Sequence, residues 1–323
     1  MLDSWIQKFS ALLSHLISKI TLNKDQNKET TLSLLHNAAQ KGDLRYLKLM
    51  LSKENPSFDL SDEIGSTPIF YALEYNHKEV AEFLLKQKAN INHLNTFGRT
   101  PLFASIDSNN PDLINFALNN GADPHITDSN GETILHYGII NKKDNSLFFL
   151  LENDNLPMNT PNNFGKTPLI LATEFGLTNI CNTLISKGAL IDSPDNDGWT
   201  ALMYACNKNL IDLSSLLIAS GADIHLKDKN FNQTAYLIAC RSGNLEIAEM
   251  LLRHGANSQD VDYYERTALH IAVETNSLET VEFVLKTNVN VSARDKFNLS
   301  AKEWAIVNAS ADVLRLVIQA ENK

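Results

Sequence analysis

A short phrase recurs along the chain at a nearly constant interval, and this interval constrains the fold more than any other feature. The phrase reads GSTPIFYA at 65–72, GRTPLFAS at 98–105, GKTPLILA at 165–172 and ERTALHIA at 265–272. Its Thr recurs every 33 or 34 residues, and Ser33 and Ser300 extend the series in both directions. We call these the ruler residues: Ser33, Thr67, Thr100, Thr133, Thr167, Thr200, Thr234, Thr267 and Ser300. A fixed period of this length predicts an array of stacked repeats rather than one globular core.

Each repeat carries the signals of two short helices. A Pro or small residue after the ruler residue suits the first turn of a helix, and the Thr hydroxyl can cap that turn. A polar corner such as 76–77 follows, and then a second stretch with helical apolar spacing, as at Val80 and Leu84. The Gly after it, as at Gly188, suits a left-handed helix end. Where a repeat has 34 residues, the extra residue is assigned to a loop, and in the sixth repeat to the turn at 228–233.

The repeated phrases resemble the ankyrin repeat family, whose unit of 33 residues carries a T-P-L-H-x-A signature. The closest matches read TPLFA at 100–104 and TALHIA at 267–272, and GNLEIAEMLLRHGAN at 243–257 is similar to the second-helix segment. The resemblance implies an all-α solenoid of about nine helix-turn-helix units over 31–323, with β-hairpin-like turns. It also implies that His36, His136 and His270, which occupy the signature His, bond the loops of adjacent units.

Composition and charge exclude several classes of function. The net charge of the 323 residues is −10 and no basic run exists, which argues against a nucleic-acid binder. Three cysteines without C-x-x-C spacing indicate reduced thiols and a cytoplasmic protein. Cys206 and Cys240 occupy equivalent first-helix positions about 8–10 Å apart, which suits core residues and not a disulfide. No secretory signal or membrane span is recognisable.

The same sequence offers no pattern that carries catalysis. It lacks a phosphate loop, a dinucleotide loop, a paired-carboxylate site and a nucleophile with its base. The repeats leave roughly 30 residues for anything else, fewer than a catalytic domain needs. We therefore expect a non-enzymatic protein that needs no metal and no cofactor.

Binding to another protein is the function that the pattern favours. The position three residues before the ruler residue is aromatic in five of eight repeats and should be exposed at a turn tip. Together with residues beside the ruler and at the ends of first helices, it predicts a partner-binding concave face with aromatic anchors. The predicted binding residues are Tyr75, Phe97, Arg99, Phe164, Phe175, Trp199, Phe231, Arg241, Tyr264 and Phe297. The alternative is that the turn aromatics only pack one hairpin on the next, which explains Trp199 least well.

Residues 1–22 lie outside this pattern and leave three hypotheses open. Their apolar residues follow helical spacing from Leu2 to Ile20, the polar face is Ser-rich and nearly uncharged, and a polar linker follows at 23–30. An amphipathic helix of this kind covers the open end of the first repeat, lies in a membrane interface, or binds a partner.

We thus expect a monomeric, cytoplasmic scaffold or adaptor that binds another protein. The alternative is a membrane-associated adaptor anchored by residues 1–22. Ankyrin proteins also include secreted effectors of bacteria that live inside eukaryotic cells, so an effector in the host cytosol is a further alternative implied by the resemblance.

Removal of residues 1–22 distinguishes the hypotheses for this segment. We expect the truncated protein to unfold at a lower temperature in circular dichroism, because an apolar repeat face loses its cover. Unchanged unfolding with lost binding to liposomes would show a membrane anchor instead.

Overall fold

The computed structural model describes residues 34–54, 57–153 and 155–322. The predicted N-terminal helix at 1–22 and the linker at 23–30 lie outside these residues. The chain divides into two compact units, Met1–Phe149 and Leu150–Lys323, which we call the N-terminal and C-terminal units.

Both units consist of helices in consecutive pairs. In the N-terminal unit these are α1 (34–41), α2 (Leu44–Glu54), α3 (Pro68–Glu74), α4 (Lys78–Lys86), α5 (Pro101–Asp107), α6 (Pro111–Asn119) and α7 (Ile134–Ile140). Helix α8 (Asp144–Glu152) contains the boundary between the units. The C-terminal unit continues with α9 (Pro168–Glu174), α10 (Thr178–Ser186), α11 (Ala201–Asn207), α12 (Ile211–Ala219), α13 (Ala235–Arg241), α14 (Leu245–Arg253), α15 (Ala268–Glu274), α16 (Leu278–Leu285), α17 (Ala301–Asn308) and α18 (Ala311–Glu321).

The all-α prediction with hairpin-like turns is confirmed. The described residues form no strand, and only isolated antiparallel bridges join Lys227 to Thr234, Val261 to Thr267, and Arg294 to Ser300 across the turns. The first helix of each pair from α3 to α17 begins directly after its ruler residue, whose backbone is extended. The periodic Thr therefore marks where each repeat enters its first helix.

Capping by the ruler hydroxyl is confirmed in some repeats and absent in others. Thr167 accepts the amide of Ile170, Thr200 that of Met203, and Ser300 that of Glu303. The hydroxyls of Thr67, Thr100 and Thr234 are buried and have no hydrogen-bond partner among the described residues. The side chain therefore stabilises only part of the helix starts, while the extended backbone is common to all of them.

Neighbouring repeats pack a large side chain of one first helix against a small residue of the next. The residue six positions after the ruler is fully buried in seven consecutive repeats: Leu73, Ile106, Ile139, Thr173, Cys206, Cys240 and Val273. A methyl group added to Gly138 would lie in ordinary contact with Ile106 Cγ2 at 3.9 Å and only 2.7 Å from Leu147 Cδ2, so a larger residue would require the Leu147 side chain to move. In the last pair the equivalent Ile306 is 61% exposed, because no following pair covers it among the described residues.

Cys206 and Cys240 belong to this core, as predicted, and Cys181 is buried on the second helix α10. All three are free thiols. Burial raises the pKa of the Cys206 and Cys240 thiols to about 12. They stay protonated near neutral pH and fill space as small apolar residues.

The turn before each ruler residue, which we call the tip, closes around one acid or amide side chain. In the tip before Thr200, Asp195 Oδ1 accepts the amides of Asp197 and Trp199 at 3.0 and 2.8 Å. The amide of Asp195 donates to the Trp199 carbonyl. In the tip before Thr234 the amide of Asp228 instead reaches Gln233, one residue further on, which confirms the extra residue predicted at 228–233.

Two glycines of the C-terminal unit should respond differently to a methyl group. Both have positive φ, +77° at Gly165 and +91° at Gly221, so Ala is strained at either position. The new Cβ finds open space at Gly221 but meets the Asn196 amide nitrogen at 2.5 Å at Gly165. We expect Gly221→Ala to lower the free energy of unfolding by about 1–2 kcal/mol, and Gly165→Ala by about 1–3 kcal/mol more because of overpacking. Urea unfolding followed by circular dichroism measures both, and equal losses would contradict this account of the tips.

Candidate partner-binding surface

The predicted binding residues lie on the tips and on the ends of the first helices, which together we call the tip surface. The tip rings are strongly exposed: Phe97 by 50%, Phe164 by 62%, Phe231 by 43% and Phe297 by 65%. At the helix ends, Tyr75 is 45% and Phe175 is 43% exposed. Tyr264, Arg99, Trp199 and Arg241 are half-buried. The predicted exposure of the turn aromatics is therefore confirmed for most of them, and a binding role remains a prediction.

Main-chain hydrogen bonds join each tip to the next within a unit. In the C-terminal unit the carbonyl of Phe164 accepts the amide of Asn196 at 3.1 Å. The carbonyl of Phe231 accepts the amide of Tyr263 at 2.7 Å, and that of Tyr264 the amide of Lys296 at 2.9 Å. The N-terminal unit repeats the contact between Phe97 and Ser129 at 2.8 Å. The aromatic residues are thus held at a regular spacing by their own backbone.

A second set of hydrogen bonds joins the tip acid to the first helix of its own repeat. In three repeats the tip acid accepts a hydrogen bond from an aromatic side chain nine residues later on the first helix. The pairs are Tyr71 with Asp62 at 2.6 Å, Tyr204 with Asp195 at 2.7 Å, and Trp304 Nε1 with Asp295 at 2.8 Å. Burial and the adjacent carboxylate raise the pKa of the Tyr71 and Tyr204 phenols. The recurrent spacing of nine residues is visible in the sequence but was not part of the prediction.

The two arginines before the ruler residues hold different tip acids. Arg99 donates from Nε and Nη2 to Asp128 of the following repeat at 3.2 and 3.1 Å, and lies over the Tyr137 ring. Arg266 contacts Asp262 of its own tip at 2.7 Å and Glu274 at 2.9 Å. The guanidinium of Arg99, predicted to bind a partner, is therefore already engaged in holding a tip.

Trp199 lies against its own repeat. Its ring is 5.1 Å from that of Tyr204 at an interplanar angle of 60°, and its amide donates to the tip acid Asp195. The contact accounts for the half-buried state of the indole and leaves the rest of the ring on the tip surface. Packing therefore explains part of the conformation of Trp199.

The last tips of the C-terminal unit form an exposed aromatic cluster. Tyr264 and Phe297 stack at 6.2 Å with an interplanar angle of 23°. Tyr263, which was not among the predicted residues, is 56% exposed and meets Tyr264 edge to face at 5.3 Å. Lys296 lies over the Tyr263 ring at 3.8 Å, and Arg241 over the Phe231 ring at 5.5 Å. The rings contact one another and still present apolar surface beside cations.

A family model described as ankyrin repeats, in three copies, matches residues 6–95, 87–160, 141–228 and 208–295. The chain belongs to the ankyrin repeat family. Ankyrin repeats are generally modules of protein–protein interaction and typically lack enzymatic activity. The resemblance predicted from the repeated phrase is thereby confirmed.

Two of the three signature histidines, His36 and His270, bond the loop of the following repeat, as the resemblance implied. His36 Nε2 lies 2.9 Å from the Ser66 carbonyl of the next repeat, and His270 Nε2 lies 3.2 Å from the Leu299 carbonyl. His136 contacts its own ruler residue Thr133 through Nδ1 at 2.8 Å. Burial lowers the pKa of His270, which favours the neutral ring that this structural role uses.

Neither a metal centre nor a membrane span emerges from the described part of the chain. No group of three or more His, Cys, Asp or Glu side chains there is arranged to hold a metal ion. None of its helices combines the length and the apolarity that crossing a bilayer requires.

An apolar cavity of about 450 Å³ lies on the last helix pair. Its walls are Leu299, Trp304, Ile306, Val307, Asn308 and Glu303. Glu303 is the one titratable group in that lining, and its carboxylate accepts the amide of Ser300 in a capping box. The cavity therefore supplies apolar surface and no pair of groups suited to acid–base or nucleophilic catalysis.

The buried ion pair in the tip before Thr267 should be far more important for stability than an exposed one. Arg266→Ala leaves the fully buried Asp262 carboxylate without its cation, since the side chains are 8% and 0% exposed. We expect a loss of about 3 kcal/mol in the free energy of unfolding. The matched control is Arg253→Ala, which removes a surface pair with Glu249 and should leave stability unchanged within error. Urea unfolding compares the two, and equal effects would contradict the structural role of Arg266.

Proposed function

We propose that this ankyrin-repeat protein is a non-enzymatic scaffold that binds another protein through its tip surface. The observation that carries the proposal is the row of exposed aromatic rings on tips that are joined by main-chain hydrogen bonds. Solvent-exposed rings of this size are costly to leave in water, and aromatic residues and Arg dominate the energetics of protein interfaces.

Rigidity of the tips supports this function. Each ring belongs to a turn that is closed by an acid or amide side chain and bonded to the neighbouring turn, so its backbone is ordered before a partner arrives. Binding then requires little additional ordering, and more of the contact energy appears as affinity. The tip surface is thus suited to recognition without a large conformational change.

Phe164, Phe231 and Phe297 are the strongest candidates for anchors in the C-terminal unit. They are more exposed than Trp199 and Tyr264, whose rings contact Tyr204 and Phe297. The expected concave face, the monomeric state and the cytoplasmic location belong to the same proposal. The membrane-associated alternative depends on residues 1–22, and removal of that segment tests it.

Replacement of these three anchors should abolish partner binding and leave the fold intact. We expect the full-length triple variant Phe164→Ala, Phe231→Ala and Phe297→Ala to lose proteins that the wild type retains from a eukaryotic cell lysate. Exposed side chains contribute little to the core, so the unfolding temperature should change by no more than a few degrees.

The control is a variant with equally exposed apolar residues away from the tip surface. Leu190 is 60% and Leu278 is 40% exposed in the same unit, so Leu190→Ala with Leu278→Ala removes apolar surface elsewhere. Retention of the partners by this control, together with their loss by the triple variant, supports the proposal. If the triple variant retains the same proteins as the wild type, the tip aromatics only pack and the proposal is wrong.

A further inference from the structure

We infer that Phe231 and Arg241 form a receptor for a carboxylate, so that the bound protein contributes an acidic segment with a nearby large apolar residue. This inference rests on the proposed function and specifies the chemistry of the partner at one repeat. It follows from a comparison of equivalent positions in successive repeats.

Two positions on the tip surface form an internal ion pair in two other repeats of the C-terminal unit. They are the residue directly before the ruler and the residue seven positions after it. Lys166 and Glu174 occupy them in the repeat of Thr167, with 2.5 Å between Nζ and Oε2. Arg266 and Glu274 occupy them in the repeat of Thr267, at 2.9 Å. In both repeats a cation lies before the ruler and its carboxylate at the end of the first helix.

The repeat of Thr234 has its cation at the second of these two positions and no acid at the first. The residue before the ruler is the neutral Gln233, and the residue seven positions after it is Arg241. From the repeat of Thr67 to that of Ser300, no other described repeat has a cation at this second position, where the residues are Glu74, Asp107, Ile140, Glu174, Asn207, Glu274 and Val307. Arg241 thus lies where the repeats of Thr167 and Thr267 place a carboxylate, and the position before its own ruler residue offers none.

The contacts of Arg241 agree with the lack of a carboxylate before its ruler residue. Its guanidinium lies over the Phe231 ring at 5.5 Å and makes no hydrogen bond or ion pair with any residue that the structure describes. Other cations of the same surface are engaged by backbone carbonyls: Lys208 Nζ lies 2.8 Å from Glu174 O, and Lys296 Nζ lies 2.9 Å from Tyr263 O. Arg241 therefore retains a full set of donors beside an exposed ring.

Gln233 adds a second unsatisfied donor in the same repeat. The residue is 2% exposed, and its Nε2 has no hydrogen-bond partner among the described residues. The position equivalent to it carries a cation bonded to a carboxylate in the repeats of Thr167 and Thr267. The repeat of Thr234 therefore lacks an acceptor at this place, and in the repeats of Thr167 and Thr267 the acceptor is a carboxylate.

Arginine held against an aromatic ring is well prepared for this ligand. The planar guanidinium matches both oxygens of a carboxylate, and stacking on Phe231 reduces the freedom lost when the pair forms. The net charge of −10 opposes long-range attraction of an acidic partner, so the preference must arise at short range. Affinity should consequently depend on Arg241 itself rather than on the overall charge.

The adjacent cluster supplies the apolar part of the site. The backbone of Phe231 is bonded to that of Tyr263, and Tyr264 stacks on Phe297 of the following tip. Successive repeats are separated by about 10 Å, which an extended peptide spans in about three residues. The favoured ligand therefore carries Asp or Glu with a large apolar residue about three positions away.

A random dodecapeptide library displayed on phage tests the inference with the full-length protein as bait. We expect the wild type to enrich peptides with an acidic residue about three positions from a large apolar one. Arg241→Glu should weaken binding of a synthetic enriched peptide by at least about tenfold, the loss that follows from removing a charge-assisted hydrogen bond. Arg241→Gln should do the same, and it guards against an effect of charge reversal on folding.

The matched control is Arg253→Glu, because Arg253 lies on the exposed face of a second helix and pairs there with Glu249. This variant should bind the enriched peptide as the wild type does.

If no peptide is enriched, if enrichment lacks acidic residues, or if both Arg241 variants bind normally, the inference is wrong. Lost binding in Phe231→Ala together with normal binding in both Arg241 variants would refute the inference and leave the proposed function intact. Normal binding in Phe231→Ala and Phe297→Ala as well would contradict the proposed function itself.

Discussion

The contact between a large residue of one first helix and a small residue of the next is the constraint on which the rest of the structure depends. At Gly138 an added methyl group would lie in van der Waals contact with Ile106 of the preceding repeat and would approach Leu147 of its own repeat to 2.7 Å. A lone helix pair cannot bury such residues by itself, so stability arises at the junctions between repeats. The same constraint explains why the position six residues after the ruler is fully buried in each of seven repeats.

Close packing of the helices brings the tips within hydrogen-bonding distance of one another. Each tip has a polar backbone that must find partners, and within a unit the carbonyl of one tip accepts the amide of the next. The tip acid satisfies the remaining amides of its turn. The aromatic rings therefore project from turns whose main chain is hydrogen-bonded within the tip and to the next tip, which is why they are exposed on an ordered backbone.

Because the helices and tips recur along the array, the positions that differ between repeats indicate where specificity lies. Positions that face the junction hardly vary in character, whereas the residues before the ruler and at the end of the first helix include acids, bases, amides and aromatic rings. In the repeats of Thr167 and Thr267 these two positions neutralise each other, and in the repeat of Thr234 they do not. A departure from an internal pattern of this kind indicates specificity, because the scaffold gains no stability from an arginine that it leaves unpaired.

The period, the helix pairs, the buried cysteines and the exposure of most turn aromatics could all be predicted from the sequence. They depend on local chemistry: where a helix begins, which positions recur every 3.6 residues, and where glycine permits a left-handed end. The candidate site was predicted less completely. The exposed Tyr263 was missed because it falls one position before the recurrent aromatic, and its neighbours in the stacked cluster are set by the junction between tips.

Only the tertiary structure shows which oxygen atoms the charged side chains contact. Arg99 and Arg266 occupy the same position before a ruler residue, yet Arg99 bonds the tip acid of the following repeat and Arg266 that of its own. The neutral Asn95 closes the tip of Arg99, so that tip offers no carboxylate, whereas Asp262 closes the tip of Arg266. The geometry by which each guanidinium reaches its acid is set only when the repeats have packed. The sequence by itself determined the family, the frame and the direction in which the tip aromatics face. The structure decided which polar groups that frame uses and which, like Arg241, it leaves available, because hydrogen bonds between repeats form only after the helices have packed.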